Sequence, residues 1–176
     1  KADLLNKDIQ FKNFIQDVDV VINCAGEINN KSTMYDLHVS ATKRLLTECQ
    51  KQRAIRWIQL SSVGSYGQLK KGRITENFQD NPSGVYEKTK TEADTIVKNS
   101  GIPFTIIRPS NVFGNDMNNQ SLFQLITIIE KKLFFYIGRN SLVNYVHVDD
   151  VVNALLLCIS NDVSIGKTYI ISQSLI

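Results

Sequence analysis

The chain has 176 residues, the length of one ordinary domain, and its 43% hydrophobic content is enough for a sizeable core. Nine glycines and three prolines exclude collagen-like and low-complexity structure. Twenty basic against 17 acidic residues leave a formal charge of +3, too small and too scattered to mark a nucleic-acid or membrane surface, so a small-molecule partner is expected.

The opening residues, Lys-Ala-Asp-Leu-Leu, carry no initiator methionine and no charged-then-apolar leader pattern, and read as mid-protein. Residues 18–24 (Val-Asp-Val-Val-Ile-Asn-Cys) form a short β-branched run, the first expected strand. Residues 33–52 follow with a helical period that puts Leu37, Ala41, Leu45, Leu46 and Cys49 on one face. A second strand is expected at 55–61, then a helix at 86–99 opened by Pro-Ser-Gly and closed by Gly101 and Pro103, then a third strand at 104–108. The later third predicts a helix over 119–132, an extended segment over 142–148, a helix over 149–160 with Asp149 or Asp150 as N-cap, and a strand over 167–172. Strands that read as apolar on both faces and alternate with helices imply a parallel α/β sheet. Ligands of such sheets sit beyond the carboxyl ends of the strands, here residues 25–29, 61–67 and 109–114.

The longest apolar stretch, residues 151–159, is interrupted by Asn153 and falls far short of the roughly 20 residues of a membrane span. Cys24, Cys49 and Cys158 have no C-x-x-C spacing and read as free thiols of a cytoplasmic protein. Two distant histidines and unclustered cysteines offer no metal-ligand spacing, so no metal is expected. The basic run Lys70-Lys71-Gly72-Arg73, without interleaved aromatics, reads as a solvated loop.

Tyr86-Glu87-Lys88-Thr89-Lys90 puts a phenol and an ammonium one helical turn apart on one face. A free tyrosine has a pKa near 10, and a neighbouring cation that favours the phenolate lets it serve as a base near neutrality. Spacing alone is weak evidence, because six tyrosines give roughly half a Tyr-x-x-x-Lys match by chance. Tyr66 and Lys70 are a second match, but that pair follows a strand and crosses Gly67 into a polar loop. Context favours the first pair: residues 61–67 (Ser-Ser-Val-Gly-Ser-Tyr-Gly) end a strand just ahead of it and bring hydroxyls to the sheet's carboxyl edge.

In order, Asp3-Leu4, residues 20–26 (Val-Val-Ile-Asn-Cys-Ala-Gly), the 61–67 serine segment, Tyr86-x-x-x-Lys90, residues 108–114 (Arg-Pro-Ser-Asn-Val-Phe-Gly) and residues 145–150 (Tyr-Val-His-Val-Asp-Asp) resemble the extended short-chain dehydrogenase/reductase superfamily, in its NAD-dependent epimerase/dehydratase group. The resemblance covers nearly the whole chain. It implies part of a Rossmann-type doubly wound parallel sheet in residues 1–115, with residues 116–176 contributing to the substrate region and returning to the core. It further implies NAD or NADP as cofactor and a homodimer. Tyr86 matches the general acid/base, Lys90 the residue that lowers its pKa and binds the nicotinamide ribose, and Ser62 the hydroxyl that orients the reacting oxygen. Asp3 and Leu4 match the pair that contacts adenine, Ala25 and Gly26 the loop beside the cofactor, Pro109 the flank of the nicotinamide, and Asn111 a substrate contact. His147 and Asp150 match a motif that is mostly structural.

The chain departs from this pattern in informative places. The family's glycine-rich pyrophosphate turn is absent, and since Asp3 matches the end of the third strand, two βα units of about 30 residues each are expected ahead of Lys1. Residues 1–176 alone are therefore expected to bind NAD weakly, and the residue that chooses NAD or NADP lies upstream. Dehydratases of the group carry Asp-Glu after the catalytic hydroxyl, where Val63-Gly64 stand here. Many of the epimerases carry a diphosphate-binding arginine where this chain has Val143, leaving Arg139 as the candidate substrate contact. A position that is commonly asparagine is His38, read as a solvated or helix-packed imidazole. The leading expectation is hydride transfer at C4 of a nucleotide sugar, by a 4-epimerase or 4-ketoreductase. The alternatives are a reductase of a non-sugar ketone, of the hydroxysteroid or dihydroflavonol type, and a non-catalytic NAD(P) sensor.

Overall fold

A computed structural model describes residues 2–52, 56–67, 73–115, 121–135 and 143–173. Among these, the β-branched runs become four parallel strands: β1 Val20–Asn23, β2 Arg56–Leu60, β3 Phe104–Pro109 and, at the end of the chain, a strand at Lys167–Ile171. They lie side by side in that order, with Val21 opposite Trp57, Ile58 opposite Thr105 and Ile107 opposite Tyr169. Parallel neighbours need a crossover between them, and the helical stretches of the sequence supply one each time. β1 forms one edge, where Ile22 is exposed. Trp57 and Ile58, adjacent in β2, point to opposite faces and seed two cores. Trp57 packs with Phe11, Ile15, Leu46, Cys49, Val97 and Ile102, and Ile58 with Ile107, Val146, Val151, Leu155 and Cys158.

A short helix α1, Lys12–Ile15, contributes Ile15 to the first core. The helix expected over 33–52 starts earlier, because the Asn30 side chain caps it by accepting the Ser32 N–H at 3.1 Å. It is also not uniform: α2, Lys31–Tyr35, passes into a π-helical stretch, Asp36–Ser40, before α3, Ala41–Cys49. The wider turn changes the phase of the helix, which buries His38 and Val39 and leaves Leu37 only half-buried. α4, Val85–Lys98, crosses from β2 to β3 and buries Thr89, Lys90, Ala93, Asp94 and Val97.

Residues 109–114, expected as a loop, contain a strand β4, Asn111–Phe113. It pairs in parallel with β5, Tyr145–His147, in a second two-stranded sheet. Between them runs α5, Ser121–Glu130. α6, Val148–Ser160, begins directly after β5, so its N-cap is His147 rather than Asp149 or Asp150. The His147 Nδ1 accepts the Asp149 N–H at 3.3 Å, and both carboxylates lie in the first turn, where they complement the helix dipole. The final strand is β6. No helix among the described residues is long and apolar enough to cross a membrane, and no group of three or more metal-ligating side chains occurs among them.

Candidate active site

The carboxyl ends of β1 and β2 meet the middle of α4 at Lys90. This side chain is 3% exposed and donates from Nζ to the carbonyls of Leu60 at 2.6 Å and Ala25 at 3.3 Å. Lys90 thus joins two of the three strand ends expected to carry the site. β1 is held in place here by polar groups: Asn23 Nδ2 donates to Thr42 Oγ1 and Gln59 Oε1, Gln59 Oε1 also accepts from Trp57 Nε1, and Asn23 Oδ1 accepts the Ala25 N–H. Burial pushes the Lys90 ammonium below the ordinary lysine range, against the pull of Asp94 and Cys24.

One turn beyond Lys90, Asp94 is 1% exposed and accepts hydrogen bonds from Ser61 Oγ at 2.7 Å and from Arg108 Nη2 at 2.9 Å and Nε at 3.2 Å. Arg108 also clamps Asp80 at 2.6 and 3.0 Å and lies over the Tyr66 ring, 4.6 Å from its centroid. This alternation of charges ties β3, α4, the 63–66 turn and the segment before α4 into one unit. Burial raises the Asp94 pKa, opposed first by Arg108. The apolar periodicity that located α4 gave no sign of Asp80 or Asp94; for Asp94 the Tyr-x-x-x-Lys-x-x-x-Asp spacing on one helical face was the available signal.

Ser62 is half-buried at the head of the Val63–Tyr66 turn, which packs against α4, and its Oγ accepts the Gly64 N–H at 3.1 Å. Tyr86 is half-buried, edge-on to His38 with ring centroids 5.5 Å apart. Burial, then the Glu87 and Asp94 carboxylates, push its phenol above the ordinary tyrosine value. The Lys90 ammonium donates to two backbone carbonyls, and the charges that raise the phenol are the two carboxylates. His38 proves to be helix-packed rather than solvated, at 2% exposure.

The remaining expected residues lie around this centre. Gly26 is exposed, and a Cβ built on it would meet only His38 Nε2, at 4.0 Å, so its backbone is open to close approach by a ligand. Pro109 is buried at the end of β3. Asn111 donates from both its backbone N–H and its Nδ2 to the Asn144 carbonyl, which couples it to β5. Asp3 accepts the Leu5 N–H, and Leu4 packs on the Trp57 core. Their loop is held by Arg44, which donates to the carbonyls of Leu4, Asn6 and Lys7 and lies over the Phe11 ring. Among the described contacts none joins Asp3 or Leu4 to Tyr86 or Lys90. Arg139 lies outside the described residues.

A model of the NAD dependent epimerase/dehydratase family matches residues 1–172. The chain belongs to this family. Similar members include the N-acetyl-α-D-glucosaminyl-diphospho-ditrans,octacis-undecaprenol 4-epimerase of Escherichia coli, 29% identical over 133 residues, 70% of this chain and 40% of that protein. The dTDP-glucose 4,6-dehydratase of Mycobacterium tuberculosis is 27% identical over 175 residues, 90% of this chain and 52% of that protein. Among solved structures, dTDP-glucose 4,6-dehydratase from Bacillus anthracis in complex with NAD aligns with a TM-score of 0.83 and 27% identity, over 99% of this chain and 58% of that one. The chain thus spans about half the length of the family members it matches. Its fold is the Rossmann-type parallel sheet of those structures.

Proposed function

We propose that this chain is the acid/base part of an NAD(P)-dependent oxidoreductase or epimerase acting at a secondary alcohol or ketone, with C4 of a nucleotide sugar as the reacting carbon. The observation that carries this reading is the placement of Tyr86 and Lys90 on one helix at the sheet's carboxyl edge, with the Ser62 turn packed against it. Tyr86, protonated near neutrality, donates its proton to the substrate oxygen in the reducing direction and takes it back in the oxidising one. Ser62 uses its oxygen to accept from Gly64, which leaves its own proton to hold the same substrate oxygen. A bound nicotinamide dinucleotide, NAD or NADP, would supply the hydride and, when oxidised, a positive ring charge that favours the phenolate.

The residues present fit such a group. The open backbone at Gly26, beside Ala25 in the same loop, and the nearby Lys90 ammonium suit a ribose, with Pro109 flanking the nicotinamide and Asp3 and Leu4 reserved for adenine. Asn111 and Arg139 are assigned to the substrate. An epimerase lets the keto sugar turn before the hydride returns to its other face; a 4-ketoreductase releases it. Elimination of water is disfavoured by Val63 and Gly64, which carry no proton-transfer group. A homodimer in the cytoplasm belongs to the same reading. One observation favours a second reading, reduction of a non-sugar ketone: Val143, at the position of the diphosphate arginine, is 58% exposed and apolar.

In the full-length protein, Tyr86→Phe is expected to lower kcat by about 10² to 10⁴-fold with dinucleotide affinity nearly intact. Lys90→Met is expected to reduce both. An unchanged rate in Tyr86→Phe, measured against UDP-, GDP- and dTDP-sugars and a neutral ketone, overturns Tyr86 as the acid/base group, and dinucleotide binding without turnover of any of them moves the assignment to a sensor. Turnover of the ketone alone selects the second reading.

A further inference from the structure

We propose that Glu87 is a specificity-determining residue, its carboxylate standing between the Ser62 turn and the start of α4 and restricting the site to substrates with no negative charge beside the reacting carbon. The inference rests on the reading of Tyr86 and Ser62 as the groups that hold the reacting oxygen, and it adds the substrate class.

The chain makes room for this side chain at two places. Glu87 follows Tyr86 in the first turn of α4 and is half-buried. A Cβ placed on Gly64 would lie 2.7 Å from Glu87 Cγ and 3.3 Å from Ser62 Oγ, and one placed on Gly84 would overlap Glu87 Oε2. Two glycines, one in the serine turn and one at the head of α4, thus leave a slot that Glu87 fills. The Ser62 hydroxyl borders the same spot beside Gly64, so the glutamate and the hydroxyl that holds the substrate are neighbours.

A glutamate in the first turn of a helix commonly serves the helix itself, by accepting the backbone N–H of the capping residue. Here no hydrogen bond or salt bridge among the described residues reaches the Glu87 carboxylate, and only its backbone carbonyl is engaged, by Thr91 Oγ1. Asp94, the other carboxylate that acts on the Tyr86 phenol, acts less strongly than Glu87 and is bonded to Ser61 and Arg108. The Lys90 ammonium donates to the Leu60 and Ala25 carbonyls. Glu87 is therefore the unneutralised charge next to the acid/base tyrosine. A substrate carboxylate on a carbon adjoining the reacting one would enter the same half-buried space, where like charges repel more strongly than in water. A hydroxyl in that place finds an acceptor instead. Repulsion of the wrong ligand is as much a source of selectivity as attraction of the right one.

Steady-state kinetics of the full-length protein on UDP-, GDP- and dTDP-glucose and the matching glucuronates, and on a neutral ketone and its carboxylated analogue, isolate the added charge, because the members of each pair are otherwise alike. Wild type is expected to turn over the neutral member with a kcat/KM at least about tenfold higher. Glu87→Gln keeps the shape and removes the charge, and is expected to bring the two members within about threefold of each other by raising kcat/KM for the anionic one. A mere loss of packing would lower both members alike and leave their ratio in place. Glu87→Ala, which empties the slot, is expected to shift the ratio the same way and stands in should the glutamine variant not fold. Wild type that handles both members equally or prefers the anionic one, or a ratio unchanged in the folded variant, overturns this proposal and leaves the functional reading standing. Wild type that turns over no member of any pair overturns the functional reading and this one together.

Discussion

At the scale of single residues, the site is built from polar groups that the fold has taken out of water. Lys90, Asp94, Arg108 and His38 are each 3% exposed or less, and each has a partner whose geometry accounts for its burial. An isolated buried charge is costly, and removing one member of such a set leaves its neighbour uncompensated. Of these side chains, an imidazole is the one that ordinarily titrates near neutral pH. Burial first, then the Lys90 ammonium, lower its pKa from 6.5 to about 4, with Glu27 pulling the other way. Between those values the unfolded chain binds a proton that the folded protein does not. The stability contributed by the neutral ring is therefore complete above about pH 6.5 and lost as the pH falls toward 4. Urea unfolding measured from pH 7 to 4 is expected to show a steeper loss for wild type than for His38→Gln; parallel curves would mean that the imidazole titrates normally in the fold.

At the scale of elements, the 63–66 turn shows how local conformation and distant contacts combine. Gly67 ends that turn at φ +75, its N–H bonded to the Gly64 carbonyl, and a Cβ placed on it would come within 2.1 Å of the Asn81 carbonyl oxygen. Asn81 in turn donates its N–H to Ser65 and follows Asp80, the partner of Arg108. Gly101 has the same φ of +75 after α4 but nothing within 4 Å of its Cβ direction. Gly101→Ala is expected to cost only the left-handed backbone strain, about 1 to 2 kcal/mol. Gly67→Ala carries that strain and a backbone clash, so its denaturation midpoint is expected to fall further. Equal midpoints for the two variants would show that the 81–84 segment yields freely.

At the scale of the whole molecule, the sheet is asymmetric. β2 and β3 are central, with neighbours on both sides and residues such as Ile58, Gln59, Ile106 and Ile107 at 1% exposure or below, while β1 is an edge with Ile22 at 39%. Amide exchange requires opening, and opening costs most where burial and pairing are greatest. Exchange is expected to be slowest at those four central residues and faster in the β4–β5 pair; comparable protection of β4 and β5 would show that the small sheet opens only together with the main one.

Much of this architecture was legible from residue order, because burial on both faces and helical periods are properties of neighbours in sequence. The runs at 18–24, 55–61, 104–108 and 167–172 became β1, β2, β3 and β6, and the Tyr86 and Lys90 pair shares α4 as its spacing required. What residue order could not reveal depends on partners far apart in the chain. The β4–β5 pairing joins residues 111–113 to 145–147, short segments whose extended form is stable only once they lie together. Lys90 carries a spacing that suggested a partner in Tyr86, yet its nitrogen goes to carbonyls 30 and 65 positions away, because a buried ammonium takes the acceptors that the strand ends present. The Arg108 clamp on Asp80 and Asp94 and the His38 bridge from Glu27 to Thr89 arise in the same way. Hydrophobic periodicity by itself determined the strands of the main sheet and the helices between them; only the tertiary structure decided which polar groups would be buried together, since a buried polar side chain must find its hydrogen bonds wherever the fold places them.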